Sequence, residues 1–154
     1  SIAISADGGA SGVATQPVYF KANAVPGDTG NNGTECVKIA NVGSTTGAGF
    51  KLYGSTSGSP NTTLTSALQL TIVEGTGNQK DCSDFVAGST VFNGSLNSFQ
   101  TGKTSFANGV DLGSLAPAAT KTYKYSIVLP SGTDPSGIQS ANAGNQTFTW
   151  EIQS

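Results

Sequence analysis

Two cysteines, Cys36 and Cys82, are the residues of this chain whose chemistry is easiest to interpret. They lie too far apart in sequence for a CxxC redox motif, and two ligands are too few for a zinc site in a chain without histidine. An even number of cysteines in an extracellular β-protein favours a disulfide bond, with two free buried thiols as the alternative. We predict the disulfide, which in the chain-entropy model stabilises a fold by roughly 4 kcal/mol for a loop of this length.

The carboxylates show no pattern that is typical of an active site. A glycosidase needs two carboxylates that face one cleft, but Glu35, Glu74 and Glu151 lie in or beside separate predicted strands, and nothing marks a pair. Asp81 and Asp84 could supply oxygen ligands to a calcium ion, although we favour their interpretation as solvated loop residues. We therefore expect no catalytic residue, no bound metal ion, no cofactor and no enzymatic activity.

The residue types that are missing exclude further classes of function. Without histidine, the chain lacks the commonest general base and metal ligand, and the HExxH motif of zinc proteases cannot be built. The basic residues are seven lysines, the formal net charge is -2 and the sequence pI is about 4.8. Nucleic-acid binding requires a basic face, so we expect no nucleic-acid partner. The low content of charged residues, 10%, suits a protein outside the cell.

Several aromatic side chains have two interpretations. A sugar-stacking platform is one interpretation of the following residues: Trp150, Tyr19, Tyr53, Tyr123 and Tyr125. Tyr123, Tyr125 and Trp150 alternate with polar neighbours, however, which is typical of one buried face of a strand. We expect these three side chains in the core.

Four Asn-x-Ser/Thr sequons are candidate N-glycosylation sites. They begin at Asn32, Asn61, Asn93 and Asn145, all in predicted turns or loops or at the edge of a strand. Sequons of a secreted archaeal or eukaryotic protein can carry glycans. Chance alone produces several in a chain this rich in Asn, Ser and Thr, so glycosylation stays open.

Short stretches with alternating apolar and polar residues predict the elements of the fold. We predict strands at 16–22, 34–40, 49–54, 67–74, 90–94, 122–129 and 146–152, and helical turns at 84–87 and 95–99. Short strands separated by Gly, Pro, Asn and Ser favour an all-β, jelly-roll-like two-sheet sandwich with at most one or two short helical turns. The 154 residues suffice for one such domain, which we place at 13–154.

The first twelve residues have a pattern of their own. The alternating run Ser1, Ile2, Ala3, Ile4, Ser5 and Ala6 predicts a half-buried strand. The run after it contains Gly8, Gly9 and Gly12, and a Gly/Ser-rich run behaves as a flexible tether. We predict a detached strand that adds to the sheet edge of another copy, where main-chain hydrogen bonds give affinity and alternate side chains give register.

The alternative for this strand is that it pairs within its own domain or frays. Burial of Ile2 and Ile4 would contribute roughly 3–6 kcal/mol before the costs of ordering. Two isoleucines are therefore too few to hold a fibre, and we expect Ala6 and contacts between subunit bodies to share the interface.

The order of several short pieces resembles the TasA/camelysin family of secreted bacterial proteins and their archaeal pilin relatives. In chain order the pieces are Val25-Pro26-Gly27-Asp28, Asn41-Val42-Gly43-Ser44, Ala67-Leu68-Gln69-Leu70-Thr71-Ile72, Val91-Phe92-Asn93-Gly94-Ser95-Leu96, Leu112-Gly113-Ser114-Leu115-Ala116-Pro117 before 122–130, and Asn142-Ala143-Gly144-Asn145-Gln146 before Phe148-Thr149-Trp150. Two spots depart from the family pattern: Pro117-Ala118 stands where Pro-Gly is usual, and Asn145-Gln146 where Gln-Gly is usual. With the cysteine pair, these departures indicate a distant member.

The resemblance implies a jelly-roll domain and secreted subunits that form fibres by donor-strand complementation, as biofilm matrix or bundling pili. It implies identical subunits as partners in a homopolymer, with neighbouring filaments in bundles, at an extracellular or cell-surface location. The chain has no run of about 18 apolar residues, so we expect no membrane insertion. No signal peptide is visible, and a start at Ser1 is consistent with a processed secretory protein.

Two other classes of function compete with the filament subunit. The first is a non-polymerising carbohydrate-binding or adhesin module, which predicts a monomer with an exposed aromatic patch. The second is a secreted hydrolase of another type, which requires convergent catalytic groups that the sequence does not show.

Overall fold

The part of the chain that the computed structural model describes contains nine β-strands and two short helices. It comprises residues 4–6, 13–19, 29–134, 136–138, 141 and 143–153, with side chains described from residue 34 onward. The strands are β1 (Ile4–Ala6), β2 (Val13–Tyr19), β3 (Thr29–Asn41), β4 (Gly49–Ser57), β5 (Gln69–Thr76), β6 (Val86–Ser95), β7 (Val110–Asp111), β8 (Thr120–Val128) and β9 (Asn145–Gln153). The helices are α1 (Thr62–Ala67) and α2 (Leu96–Gly102).

The strands form two antiparallel sheets. The five-stranded sheet has the order β1-β3-β8-β5-β6, and the four-stranded sheet has the order β2-β9-β4-β7. The predicted all-β two-sheet sandwich is confirmed, while its jelly-roll topology stays a prediction.

The core lies between the sheets and is rich in aromatic side chains. β8 and β9 bury alternate residues, as their sequence pattern predicts, because successive side chains of a strand point to opposite faces. The Tyr125 and Phe148 rings lie 5.0 Å apart between centroids, and Tyr123 and Trp150 lie 5.8 Å apart. Trp150 and Tyr123 are fully buried and Tyr125 is 1% exposed, so the predicted core position of these three residues is confirmed.

The helical predictions had mixed outcomes. The turn predicted at 95–99 is confirmed as α2, whose N-cap Ser95 accepts a hydrogen bond from the Ser98 amide. The turn predicted at 84–87 is wrong, because β6 begins at Val86 and pairs with β5. The sequence analysis missed α1, although its N-cap Asn61, which accepts from the Leu64 amide, belongs to a residue type that favours helix starts.

The turn at Pro117-Ala118 adopts a backbone conformation that glycine adopts more easily than alanine. Ala118 has φ +64°, in the left-handed region that a residue with a Cβ rarely adopts. Its amide donates to the Asn41 carbonyl at 2.9 Å, so the turn holds the end of β3. An alanine in this conformation therefore leaves local strain beside β3.

Candidate functional site: the strand edges

One side of the sandwich is closed by the N-terminal strands. β1 pairs with the end of β3, with Ile4 opposite Asn41, Ser5 opposite Ala40 and Ala6 opposite Ile39. β2 pairs with β9 through seven residues, and it also lies close to β1 and β3. The two strands thus occupy the outer edges of both sheets on the same side of the molecule.

The predicted donor segment is only partly within the described residues. Ser1, Ile2 and Ala3 and the tether glycines Gly8, Gly9 and Gly12 lie outside them. Ile4, Ser5 and Ala6 form β1, which pairs with its own domain and not as the detached strand that we expected. Val13, where we placed the start of the domain, begins a strand of the sandwich. The pairing shows that the end of β3 accepts an antiparallel strand.

A loop covers the neighbouring part of the β3 edge. The Cys36 amide donates to the Lys80 carbonyl at 3.0 Å, instead of to β8. Lys38 Nζ donates to Asn78 Oδ1 of the same loop at 2.6 Å. A strand added beside β3 therefore finds the amide of Cys36 already occupied, whereas the positions opposite β1 accept a strand.

The predicted disulfide between Cys36 and Cys82 is confirmed. The two Cα atoms are 5.3 Å apart and 46 positions separate them in sequence. Cys36 is 2% exposed. The bond links the β5–β6 loop to β3. Between β5 and β3 the loop passes β8, where the Thr122 hydroxyl group donates to the Gly77 carbonyl at 2.6 Å. A disulfide is compatible with an extracellular protein.

The opposite edge of the five-stranded sheet, β6, has no strand partner on its outer side among the described residues. Its first five residues are exposed, and Val86 is 65% exposed. β6 contains no charged residue. Two register irregularities interrupt its pairing with β5, between Ile72 and Val73 and between Glu74 and Gly75. Such bulges twist an edge and weaken it as a template for strand addition.

Each of the three glutamates accepts a hydrogen bond from a tyrosine. The donor and acceptor pairs are Tyr125 Oη to Glu35 Oε2 at 2.6 Å, Tyr123 Oη to Glu74 Oε2 at 2.8 Å, and Tyr53 Oη to Glu151 Oε1 at 2.7 Å. The members of each pair come from different strands, with 49 to 98 positions between them in sequence. The sequence analysis missed these pairs, because it gave no cross-strand register.

The geometry makes these glutamates acceptors for tyrosine hydroxyl groups. Burial, followed by the bond to Glu151, raises the pKa of Tyr53 to about 12. Burial, followed by the bond to Glu74, raises the pKa of Tyr123 far above its ordinary value. Both tyrosines therefore stay neutral donors at physiological pH. The three glutamates lie on three different strands, β3, β5 and β9, and each accepts from its own tyrosine.

The aspartates that we weighed as calcium ligands bind their own loop. Asp84 accepts from the Asn78 and Gln79 amides, and Asp81 accepts from the Ser83 amide. These backbone hydrogen bonds lower the pKa of both carboxyl groups. In the described ranges, no three His, Cys, Asp or Glu residues come together as metal ligands. The interpretation as solvated loop residues is the one that these contacts support.

A small cavity of about 150 Å³ lies beside this loop. Lys38, Asn78 and Lys121 contribute to its lining. Lys38 donates to Asn78, while Lys121 Nζ donates to the Leu112 carbonyl at 3.0 Å and lies 3.6 Å from Glu74 Oε1. The cavity is smaller than the roughly 300–1,000 Å³ of typical ligand pockets.

The described sequon residues lie at the surface. Asn61, Asn93 and Asn145 are exposed, at the N-cap of α1, in β6 and at the start of β9. Asn93 accepts a hydrogen bond from Gln69. Asn32 lies in β3, and its side chain is outside the described part of the chain.

No model of a known protein family matches the chain. No curated protein matches it either. Within the described residues, no helix is both long and apolar enough to cross a membrane.

Proposed function

We propose that this protein is the structural subunit of an extracellular filament, a pilus or a biofilm matrix fibre. Identical subunits assemble head to tail by donor-strand complementation, in which the N-terminal strand of one copy pairs with β3 of the next. The observation that carries the proposal is the position of β1, a three-residue strand at the outer edge of a sheet, opposite Ile39, Ala40 and Asn41.

An edge strand joined to the rest of its domain by a Gly-rich segment can form the same pairs with its own domain or with another copy. When the strand pairs with its own domain, the copy is a closed monomer. When it pairs with another copy head to tail, a free donor strand and a free acceptor edge remain, and an open filament results. The two states share the strand pairs, so contacts between subunit bodies must favour the filament. Val42, which is 60% exposed and follows Asn41 at the end of β3, is a candidate for such contacts.

Two further observations support an extracellular filament. The disulfide between Cys36 and Cys82 suits an oxidising compartment. Charged residues make up 10% of the chain, so the filament surface offers little electrostatic repulsion to a neighbouring filament. Bundling of filaments is therefore part of the proposal.

The alternative, a carbohydrate-binding or adhesin module, gains no support from the aromatic residues. Tyr123, Tyr125 and Trp150 lie in the core and offer no stacking face. Tyr53 is half-buried and bonded to Glu151. The filament subunit is the function that the arrangement supports best.

Deletion of residues 1–7 tests the proposal by electron microscopy of the purified protein. We expect folded monomers and no filaments. Two matched double variants distinguish the loss of the apolar side chains from the addition of charge. Ile2→Asp with Ile4→Asp should prevent assembly, whereas Ser1→Asp with Ser5→Asp should preserve it. Filaments of normal length from the deletion variant would refute the proposed function.

A further inference from the structure

We infer that β1 and β2 exchange together, so that β2 of one copy completes the four-stranded sheet of the next copy by pairing with β9. The inference rests on the proposed function and names the second acceptor, the outer edge of β9. The assembly contact then involves both sheets of the sandwich.

The length of the two ladders favours this unit. β1 contributes three pairs, Ile4 to Ala6, whereas β2 contributes seven, from Val13 opposite Glu151 to Tyr19 opposite Asn145. The ladder at β3 has three residues, and the Cys36 amide further along that edge already donates to Lys80. Such a short ladder supports a fibre only weakly. The seven-residue ladder supplies the greater part of the main-chain contact.

The covalent link between the strands also favours joint exchange. Seven Cα steps separate Ala6 from Val13, a reach of at most about 25 Å. A compact chain of 154 residues has a radius of gyration of about 15 Å and thus a diameter of nearly 40 Å. The ten steps from Tyr19 to Thr29 reach about 35 Å. The longer link suits a crossing between copies better than the shorter one.

β9 has the properties of an acceptor strand. Its other edge is fixed by nine pairs with β4, so it stays in place when β2 leaves. Phe148 and Trp150 of β9 are both fully buried. A strand that covers the edge of β9 therefore protects a large apolar surface from solvent. Among the residues whose side chains are described, Trp150 Nε1 is buried without a hydrogen-bond partner, which is rare for a buried donor.

Paired cysteines test which copy provides β2. Thr15→Cys with Thr149→Cys joins opposite positions of β2 and β9, and Ser5→Cys with Ala40→Cys joins opposite positions of β1 and β3. Opposite positions of antiparallel strands have Cα atoms about 4.5–5.5 Å apart, within the range of a disulfide. Assembled filaments are oxidised and run on a denaturing gel without reductant, and peptide mapping distinguishes the new bonds from Cys36–Cys82.

We expect both pairs to give a ladder of covalent multimers that reductant collapses to monomer. A ladder from the Ser5 and Ala40 pair, with the Thr15 and Thr149 pair cross-linked within monomers or not cross-linked, would overturn the inference and leave the proposed function intact. Cross-linked monomers from both pairs would overturn both. If the Thr149 variant does not assemble, Pro17→Cys with Thr147→Cys tests the same ladder two residues further along. Single-cysteine variants are the controls and should give no ladder.

Discussion

The two outer edges of the five-stranded sheet differ in how the fold protects them. At β3, a strand covers residues 39–41 and the Lys80 carbonyl occupies the Cys36 amide. At β6, ten uncharged residues have no strand on their outer side in the described structure, and two bulges interrupt their pairing with β5. The β3 edge thus resembles a site that selects one partner, whereas the β6 edge relies on irregular geometry to avoid partners.

The comparison separates two ways of controlling strand addition. A strand that covers an edge can be exchanged for the same strand of another copy, so it can both protect the edge and join two copies. A bulge is built into the pairing of β5 and β6 and has no exchangeable part. We therefore expect assembly to respond to changes at β3 and to tolerate changes at β6.

Removal of the disulfide should have the largest effect on stability. In Cys36→Ser with Cys82→Ser, the loop that covers β3 loses its fastening, and the free energy of unfolding should fall by roughly 4 kcal/mol in the chain-entropy model. Denaturant titration measures the change, with the variant Ser83→Ala in the same loop as the control. An unchanged midpoint would show that Lys80 and Asn78 hold the loop without the bond.

The tyrosine–glutamate pair beside that loop should come next. Tyr123→Phe removes the buried hydroxyl group that donates to the half-buried Glu74 carboxylate, and the loss of a hydrogen bond to a charged group should lower stability by about 1.5–3 kcal/mol. Tyr53→Phe, at a less buried pair, should cost less. Thermal unfolding of both variants measures the difference, and equal losses would contradict the role of burial.

The strained turn at the end of β3 should respond in the opposite direction. Ala118→Gly relieves the left-handed backbone and should raise the free energy of unfolding by about 1 kcal/mol, less the entropy that glycine adds to the unfolded chain. Ala116→Gly is the control, because no strain was found there, and it should not stabilise. A lower melting temperature for Ala118→Gly would mean that the Cβ of Ala118 contributes more by packing than it costs in strain.

A charge on the open edge should have the smallest effect. Ala87→Lys lies on exposed β6 and should change stability by less than about 0.5 kcal/mol and leave filament length unchanged. Electron microscopy measures length and bundling, with Ala40→Lys on β3 as the matched change at the other edge, where assembly should fail. Loss of filaments in Ala87→Lys would assign the acceptor to β6.

The sequence predicted the elements with strong alternation and missed those set by longer-range pairing. In β8 and β9 the buried positions follow from the pattern of Tyr123, Tyr125, Phe148 and Trp150, because a half-buried strand needs period two. The helical turn at 84–87 failed because Val86 pairs with Thr76 of β5, a contact that local propensity does not encode. Helix α1 was missed because its six residues are too few for a clear helical period.

By itself, the sequence determined that this is an all-β two-sheet sandwich, that Cys36 pairs with Cys82, and that the aromatic residues of β8 and β9 form the core. These follow from composition, period and the count of cysteines, which are local or additive properties of the chain. Only the tertiary structure decided which strands lie at the edges, that β1 and β2 share one side, and that each glutamate meets a tyrosine. The reason is that strand order and register arise from the packing of two sheets, in which residues as far apart in sequence as Val13 and Glu151 become neighbours.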